Sequence, residues 1–238
     1  MKQPGPGEAA RRGTEASLAA FVVKTCARFD HDLRSELGTI LNFASIQEVV
    51  EPHDAETVRR AAAQIRAHAQ VVAALWQAAQ EAIALATGGG NRVRGDLASI
   101  VRSLARECHV ALAEDPGGDG PRPPIDHDPE LVSFTVRAFL DLLRRSPAAA
   151  TGAFSFAIRR DGGRATLEVR RDAPKSDASP ATRGVEAFLR AGNANEGRVW
   201  RSALHAAAAL VQLDGGSIEL EGNPAGAALL RMILPQPG

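Results

Sequence analysis

Apolar side chains along the first third of the chain recur at multiples of seven residues. From about Ser17 to Val50 they form two interleaved rows, Val22, Phe29, Phe43 and Val50 in one, Cys26, Leu33 and Ile40 in the other. That spacing predicts a long amphipathic helix. Glu51-Pro52-His53-Asp54 interrupts it, with Asp54 placed to cap a second helix. The heptad stretch of that helix sets Val58, Ile65, Val72 and Ala79 against Ala62, Ala69, Trp76 and Ile83. Two such helices make an antiparallel hairpin. One hairpin cannot cover both of its apolar stripes, and pairing with a second copy into a four-helix bundle covers them, so a homodimer is expected. Thr87-Gly88-Gly89-Gly90-Asn91 ends the second helix and supplies a hinge.

Beyond the hinge the period changes. Arg92 to Gly95 reads as a short strand, Asp96 as the cap of a helix reaching about Cys108, and His109 to Leu112 as another strand. Residues 114 to 128 read as a Gly/Pro loop. Pro129 opens an apolar helix through Leu131, Phe134, Phe139, Leu142 and Leu143 that stops at Ser146-Pro147. Two alternating runs come next, Phe154, Phe156 and Ile158, then Ala165, Leu167 and Val169, joined by the hairpin signal Asp161-Gly162-Gly163. After a polar loop at 172 to 183 come a helical stretch near Val185 to Arg190 and a stronger helix from Val199 to Leu213. Gly215-Gly216 leads into two last strands, Ser217 to Glu221 and Ala227 to Leu234, turned around Asn223-Pro224. The second half is thus α+β with a mostly antiparallel sheet.

Composition narrows the function classes. The 238 residues carry 28 basic and 28 acidic side chains, so no global field favours nucleic acid or an anionic membrane surface. Aromatics at 4%, with no Tyr, also weaken base stacking. Residues 1 to 14 lack the apolar core of a signal peptide, and no later run is apolar enough to span a membrane. Cys26 and Cys108 stand far apart without a metal-ligand pattern, which argues against a disulfide framework and a zinc site and fits a reducing cytosol. Cys26 falls on the apolar seam and reads as core. His68 and His205 read as partly exposed surface residues.

The most informative stretch is Phe29-Asp30-His31-Asp32-Leu33-Arg34-Ser35-Glu36-Leu37-Gly38-Thr39-Ile40-Leu41-Asn42. At ~100° per residue, His31 lies opposite Phe29, Leu33 and Ile40 and faces water rather than the seam. Lys24, Arg28, Arg34, Ser35, Gly38 and Asn42 share its outward stripe. An exposed imidazole can attack a phosphoryl group when an acceptor holds its other ring nitrogen, and Asp32 is placed for that. Arg34 is placed to neutralise the transferring oxygens, and Gly38 to let a partner's backbone approach. The competing reading is a solvated face on which one of six histidines happens to sit.

The same residues carry a family resemblance. His31-Asp32-Leu33-Arg34-Ser35 with Leu37-Gly38-Thr39-Ile40 resembles the H-box of bacterial histidine kinases, which also sits on the first helix of a dimeric hairpin. The resemblance implies His31 as phosphoacceptor, Asp32 as its acid/base partner, and Ser35 as the position that in many such enzymes orients water for dephosphorylating the partner. Glu36 stands where that family usually has Pro, so the kink of its helix is not expected. The second half resembles the kinase ATP-binding domain in its order of elements. Asp128-Pro129-Glu130-Leu131 matches the start of its Asn-bearing helix, and Leu213-Asp214-Gly215-Gly216-Ser217-Ile218 its late turn. Its nucleotide motifs are missing. Arg137 to Arg144 carries no Asn, Asp172-Ala173-Pro174-Lys175-Ser176 replaces Asp-x-Gly-x-Gly, and Trp200-Arg201-Ser202-Ala203-Leu204 replaces the phosphate-cradling glycines.

The expected fold is therefore α+β, with a tail (1–14), an antiparallel helical hairpin forming a dimeric four-helix bundle (15–88), and a degenerate ATPase-like α/β sandwich (89–238). An intact phosphoacceptor helix on a degenerate ATPase-like domain resembles the dimeric histidine phosphotransferases. That implies relay of phosphoryl groups between response-regulator receiver domains, with a hybrid histidine kinase as a further partner. No cofactor is expected on this chain, and Mg²⁺ is expected on the receiver. The alternative is a pseudokinase scaffold that binds a kinase or receiver without being phosphorylated.

Overall fold

The computed structural model describes residues 6–49, 55–88, 92–110, 125–144, 154–161, 163–172, 182–184, 198–222 and 227–236. The chain divides into two compact units, Met1–Ile83 and Ala84–Gly238. Helix α1 runs from Pro6–Val49 and α2 from Ala55–Thr87. The first helix thus begins inside the stretch expected to be a tail. Pro6 suits a first helical turn, and the Ala, Arg and Glu residues after it are good helix formers without any amphipathic pattern. The second helix ends where expected, with the Gly88 N–H donating to the Ala84 carbonyl at 2.8 Å. Residues 89–91, in the expected hinge, lie outside the described residues.

In the first unit α1 buries Phe21, Thr25, Phe29 and Glu36, and α2 buries Ala61, Leu75, Ala78, Ala79 and Ala82. Glu36 and His68 meet across the unit, with Glu36 Oε2 accepting from His68 Nδ1 at 2.6 Å, and the His68 ring stacks on Phe43 with centroids 6.0 Å apart. Both residues lie equally far along the chain from Pro52, so the helices run antiparallel. The buried side of α1 is rotated from the expected rows. Val22, Leu33, Ile40 and Phe43 are half-buried, and Cys26, expected as core, is exposed. Val23, Leu37, Leu41 and Trp76 are also exposed. At ~100° per residue, Cys26, Leu33, Leu37 and Ile40 fall beside the buried row rather than on it. The heptads therefore mix one flank packed on α2 with a neighbouring apolar flank left open. His68 is partly exposed, as expected, but it belongs to the helix–helix contact rather than to a bare surface.

The second unit contains β1 (Val93–Gly95), α3 (Leu97–Glu107), β2 (Ile125–His127), α4 (Pro129–Arg144), β3 (Phe154–Asp161), β4 (Arg164–Arg171), β5 (Thr182–Arg183), α5 (Arg198–Leu213), β6 (Ser217–Gly222) and β7 (Ala228–Pro235). Strands β3 to β7 form one antiparallel sheet in the order β3-β4-β7-β6-β5. One of its faces buries Phe154, Phe156, Leu167, Val169, Leu220, Leu230, Met232 and Leu234. Period-two alternation of apolar residues dictates this half-buried sheet. On the opposite face Arg231 bonds Glu168 at 2.8 Å and Glu219 at 2.7 Å, and these bonds raise its pKa above the ordinary arginine value.

Side chains and turns account for most of the remaining order. Asp96 caps α3 by accepting the Ala98 N–H at 2.9 Å, and Asp128 caps α4 through the N–H groups of Glu130 and Leu131. The α3 end differs from expectation. His109 has φ 53, its N–H reaches the Arg106 carbonyl, and the Val110 N–H reaches that of Ala105. This is a Schellman ending with His in place of the usual Gly, so the strand expected from His109 does not start there. Residues 111–112 lie outside the described residues. Helix α5 ends the same way through Gly215 (φ 80) and Gly216. Two strands appear where loops were expected: β2 pairs antiparallel with β1, and β5 with β6. Gln236 ties the small sheet to the large one, because its side-chain amide makes two 2.9 Å bonds with the Asp126 backbone. Arg92 clasps both carboxylate oxygens of Asp214, at 3.2 and 2.6 Å. The expected helix at Val185 to Arg190 and the turn at Asn223-Pro224 lie outside the described residues.

Candidate functional site

Burial of Phe29 and Glu36 against α2 sets the roll of α1 and turns the intervening residues outward. The His31 side chain is 83% exposed, and its Nδ1 lies 3.2 Å from Asp32 Oδ1. An Nδ1–H tautomer makes this contact a hydrogen bond to the Asp32 carboxylate and leaves the lone pair on Nε2. Asp32 itself is only 18% exposed. It stands at the edge of the buried row, where less water competes for its oxygens.

The stripe expected around His31 is present. Lys24, Arg28, Arg34 and Asn42 are exposed, Ser35 and Gly38 are half-buried, and the space a Cβ on Gly38 would enter is open for 4 Å. The Ser35 carbonyl accepts from the Thr39 hydroxyl at 3.0 Å. All four expected site residues, His31, Asp32, Arg34 and Ser35, thus lie within two turns of one helix. Two neighbours were not anticipated. Arg34 Nε donates to Asp30 Oδ2 at 2.8 Å, and Glu36 turns inward to His68. The first was readable as an acid four residues before an arginine. The second joins residues 32 positions apart, and no local pattern announces it.

In the second unit, the part of α4 in which the resemblance would seek metal-holding Asn residues carries Ala138, Leu140, Leu142 and Leu143, all buried. Ser202, Ala203 and Leu204 are likewise buried within α5. Arg171 is also buried, donates to the Leu143 carbonyl at 2.9 Å, and has its pKa lowered by that burial. Residues 173–181 lie outside the described residues. Among the described residues, no three His, Cys, Asp or Glu side chains gather to hold a metal ion, and no helix is long and apolar enough to cross a membrane.

No family model and no curated protein matches the sequence. Solved structures do match. The histidine kinase AdeS of Acinetobacter baumannii is 14% identical, with 87% of this chain and 98% of that one covered at a TM-score of 0.56. The histidine kinase ThkA, in a complex with the response regulator protein TrrA, is 11% identical, with 92% and 63% covered at a TM-score of 0.55. At these identities the likeness is one of fold. Two long helices followed by an α+β unit with an antiparallel sheet are the arrangement of a histidine kinase with its ATPase-like domain.

Proposed function

We propose that this chain is a histidine phosphotransferase, relaying phosphoryl groups between response-regulator receiver domains through His31 in a bacterial phosphorelay. The observation that carries the reading is the outward imidazole, 83% exposed, with its Nδ1 3.2 Å from Asp32 Oδ1, and in this reading Nε2 is the nucleophile. The ThkA complex supports a receiver as partner, since that relative of the fold is bound to a response regulator. The missing nucleotide motifs favour transfer from a phosphorylated protein over autophosphorylation. A hybrid kinase then supplies the first receiver, and the open flank of the hairpin bearing Cys26 and Leu37 packs against a second copy in a four-helix bundle.

In the forward step the Nε2 lone pair attacks the phosphorus of the receiver's aspartyl phosphate. The acyl P–O bond breaks, its electron pair leaves with the aspartate carboxylate, and a P–Nε2 bond forms. The imidazole gains positive charge, which Asp32 stabilises through Nδ1–H. Reversal onto a second receiver regenerates neutral His31. Both phosphorylated species are high in energy, so the protein contributes positioning and charge rather than driving force. Arg34 meets the transferring oxygens, Ser35 stands one turn further along, and Mg²⁺ belongs to the receiver.

Transfer of labelled phosphate from a panel of phosphorylated receivers, with His31→Ala and an ATP-only sample alongside, tests the reading. Acid-labile, base-stable label on the wild type alone is expected. Label from no receiver would overturn it in favour of a non-phosphorylated scaffold, and label from ATP alone would overturn the view of the nucleotide site.

A further inference from the structure

We propose that Asp30 is a positioning residue for phosphoryl transfer, holding Arg34 where its guanidinium meets the phosphoryl group on His31. The proposal rests on the phosphotransfer reading of His31 and adds to it a residue that reading does not use. Asp30 precedes the imidazole and Arg34 follows it by three, so the pair brackets His31 within one turn. Arg34 Nε donates to Asp30 Oδ2 at 2.8 Å in an i,i+4 pair. Helical side chains lean toward the N-terminus, so this bond draws the guanidinium back to the level of the His31 ring.

The bond engages Nε alone. It leaves the two Nη groups, the edge of the fork that matches the spacing of phosphate oxygens. An arginine stem otherwise samples many rotamers at a site where Arg34 is 79% exposed. A carboxylate that restricts those rotamers lowers the ordering required in the transition state. Asp32 Oδ1 instead faces His31 Nδ1. The two acids that flank the histidine thus divide the work: Asp32 orients the ring, and Asp30 orients the cation. Both partners of the Asp30–Arg34 pair are well exposed, so the effect is modest, about two- to fivefold in rate, and shrinks with added salt.

The test uses the full-length chain and phosphoramidate as a small phosphoryl donor, monitored by ³¹P NMR. The donor P–N bond breaks, ammonia leaves, and a P–Nε2 bond forms on His31, so no receiver surface enters the measurement. Asp30→Ala is expected to slow phosphorylation about two- to fivefold, with Asp30→Asn, which keeps an acceptor, in between. In an Arg34→Gln background, Asp30→Ala is expected to change nothing further, and circular dichroism is expected to show unaltered helix content throughout. An unchanged or faster rate in Asp30→Ala overturns the proposal, as does equal slowing in the Arg34→Gln background, which would mark a structural effect. Wild-type protein that forms no phosphohistidine overturns this proposal together with the reading it rests on, and so is distinguished from failure of Asp30 alone.

Discussion

Replacing Glu36 by Pro, the residue that the histidine-kinase H-box usually carries at this position, should destabilise the hairpin strongly. Two losses combine. The Glu36 side chain is 7% exposed and its 2.6 Å bond to His68 joins the two helices. A hydrogen bond to a charged group contributes about 1.5–3 kcal/mol, and because His68 is 27% exposed the lower half of that range applies. Glu36→Ala should therefore cost about 1–2 kcal/mol, with Ala's helix propensity offsetting a few tenths. Glu36→Gln, which retains an acceptor, should cost less. Proline adds the loss of the bond from residue 36 to the Asp32 carbonyl and a clash of its ring with that carbonyl, about 3 kcal/mol in a helix interior. The sum for Glu36→Pro is about 4–5 kcal/mol. The two tryptophans fall one in each unit, Trp76 and Trp200, so in a Trp200→Phe background the fluorescence reports the hairpin alone. Urea unfolding at one fixed protein concentration, since self-association would shift the midpoint, then measures the series. A proline variant within about 1 kcal/mol of the parent would refute the uninterrupted helix at this point, and an alanine variant equal to the parent would refute the energetic role of the pair.

Exposure and close packing each give a further prediction. Cys26 is exposed on the open flank whereas Cys108 is buried, so Cys26 should be the thiol that reacts with a disulfide reagent, and slowly at high protein concentration if that flank pairs with a second copy; a fast rate independent of concentration would contradict the homodimer. Gly216→Ala should cost about 1–3 kcal/mol by calorimetry, since its Cβ would collide with the Ile233 carbonyl and stand 2.9 Å from Val211 Cγ1; a melting temperature equal to the parent's would mean the turn after α5 relaxes freely.

The features legible in the sequence are those with a local cause. Phe154 and Phe156, then Ala165, Leu167 and Val169, alternate along strands long enough to display the period, and both runs are strands of the central sheet. Asp96 and Pro129 mark helix starts by chemistry that acts within four residues. The outward place of His31 and the nearness of Asp32 follow from helical phase alone. What escaped has a non-local or very short basis. Strands β2 and β5 have three and two residues, too few to show alternation, and exist only because β1 and β6 lie beside them. The turn at His109 uses a backbone conformation that the sequence advertises only when the residue is Gly. The heptad rows were visible as apolar positions, but sequence does not say which apolar flank a single chain covers, and so Cys26 was misplaced. Glu36 stands out as a departure from the family pattern, yet its partner His68 belongs to the other helix.

That pair bears on the chemistry of His31 through the roll of the helix. At ~100° per residue, His31 stands ~140° around α1 from Glu36, and Asp32 only ~40° from it. With Glu36 held inward by His68, the imidazole faces solvent while the neighbouring carboxylate stays largely sheltered. A roll of α1 by one residue's turn in one direction would bring His31 to within ~40° of the inward direction and close its path to a partner. An equal roll the other way would carry Asp32 ~140° from that direction, into full solvent, where water competes for its bond to Nδ1. The exposure of His31 and the shelter of the Asp32 carboxylate beside its Nδ1 are therefore two consequences of one helical phase. The Glu36–His68 contact is a polar interaction across the hairpin that favours this phase, in a seam whose buried α2 residues are mostly alanine and would tolerate others.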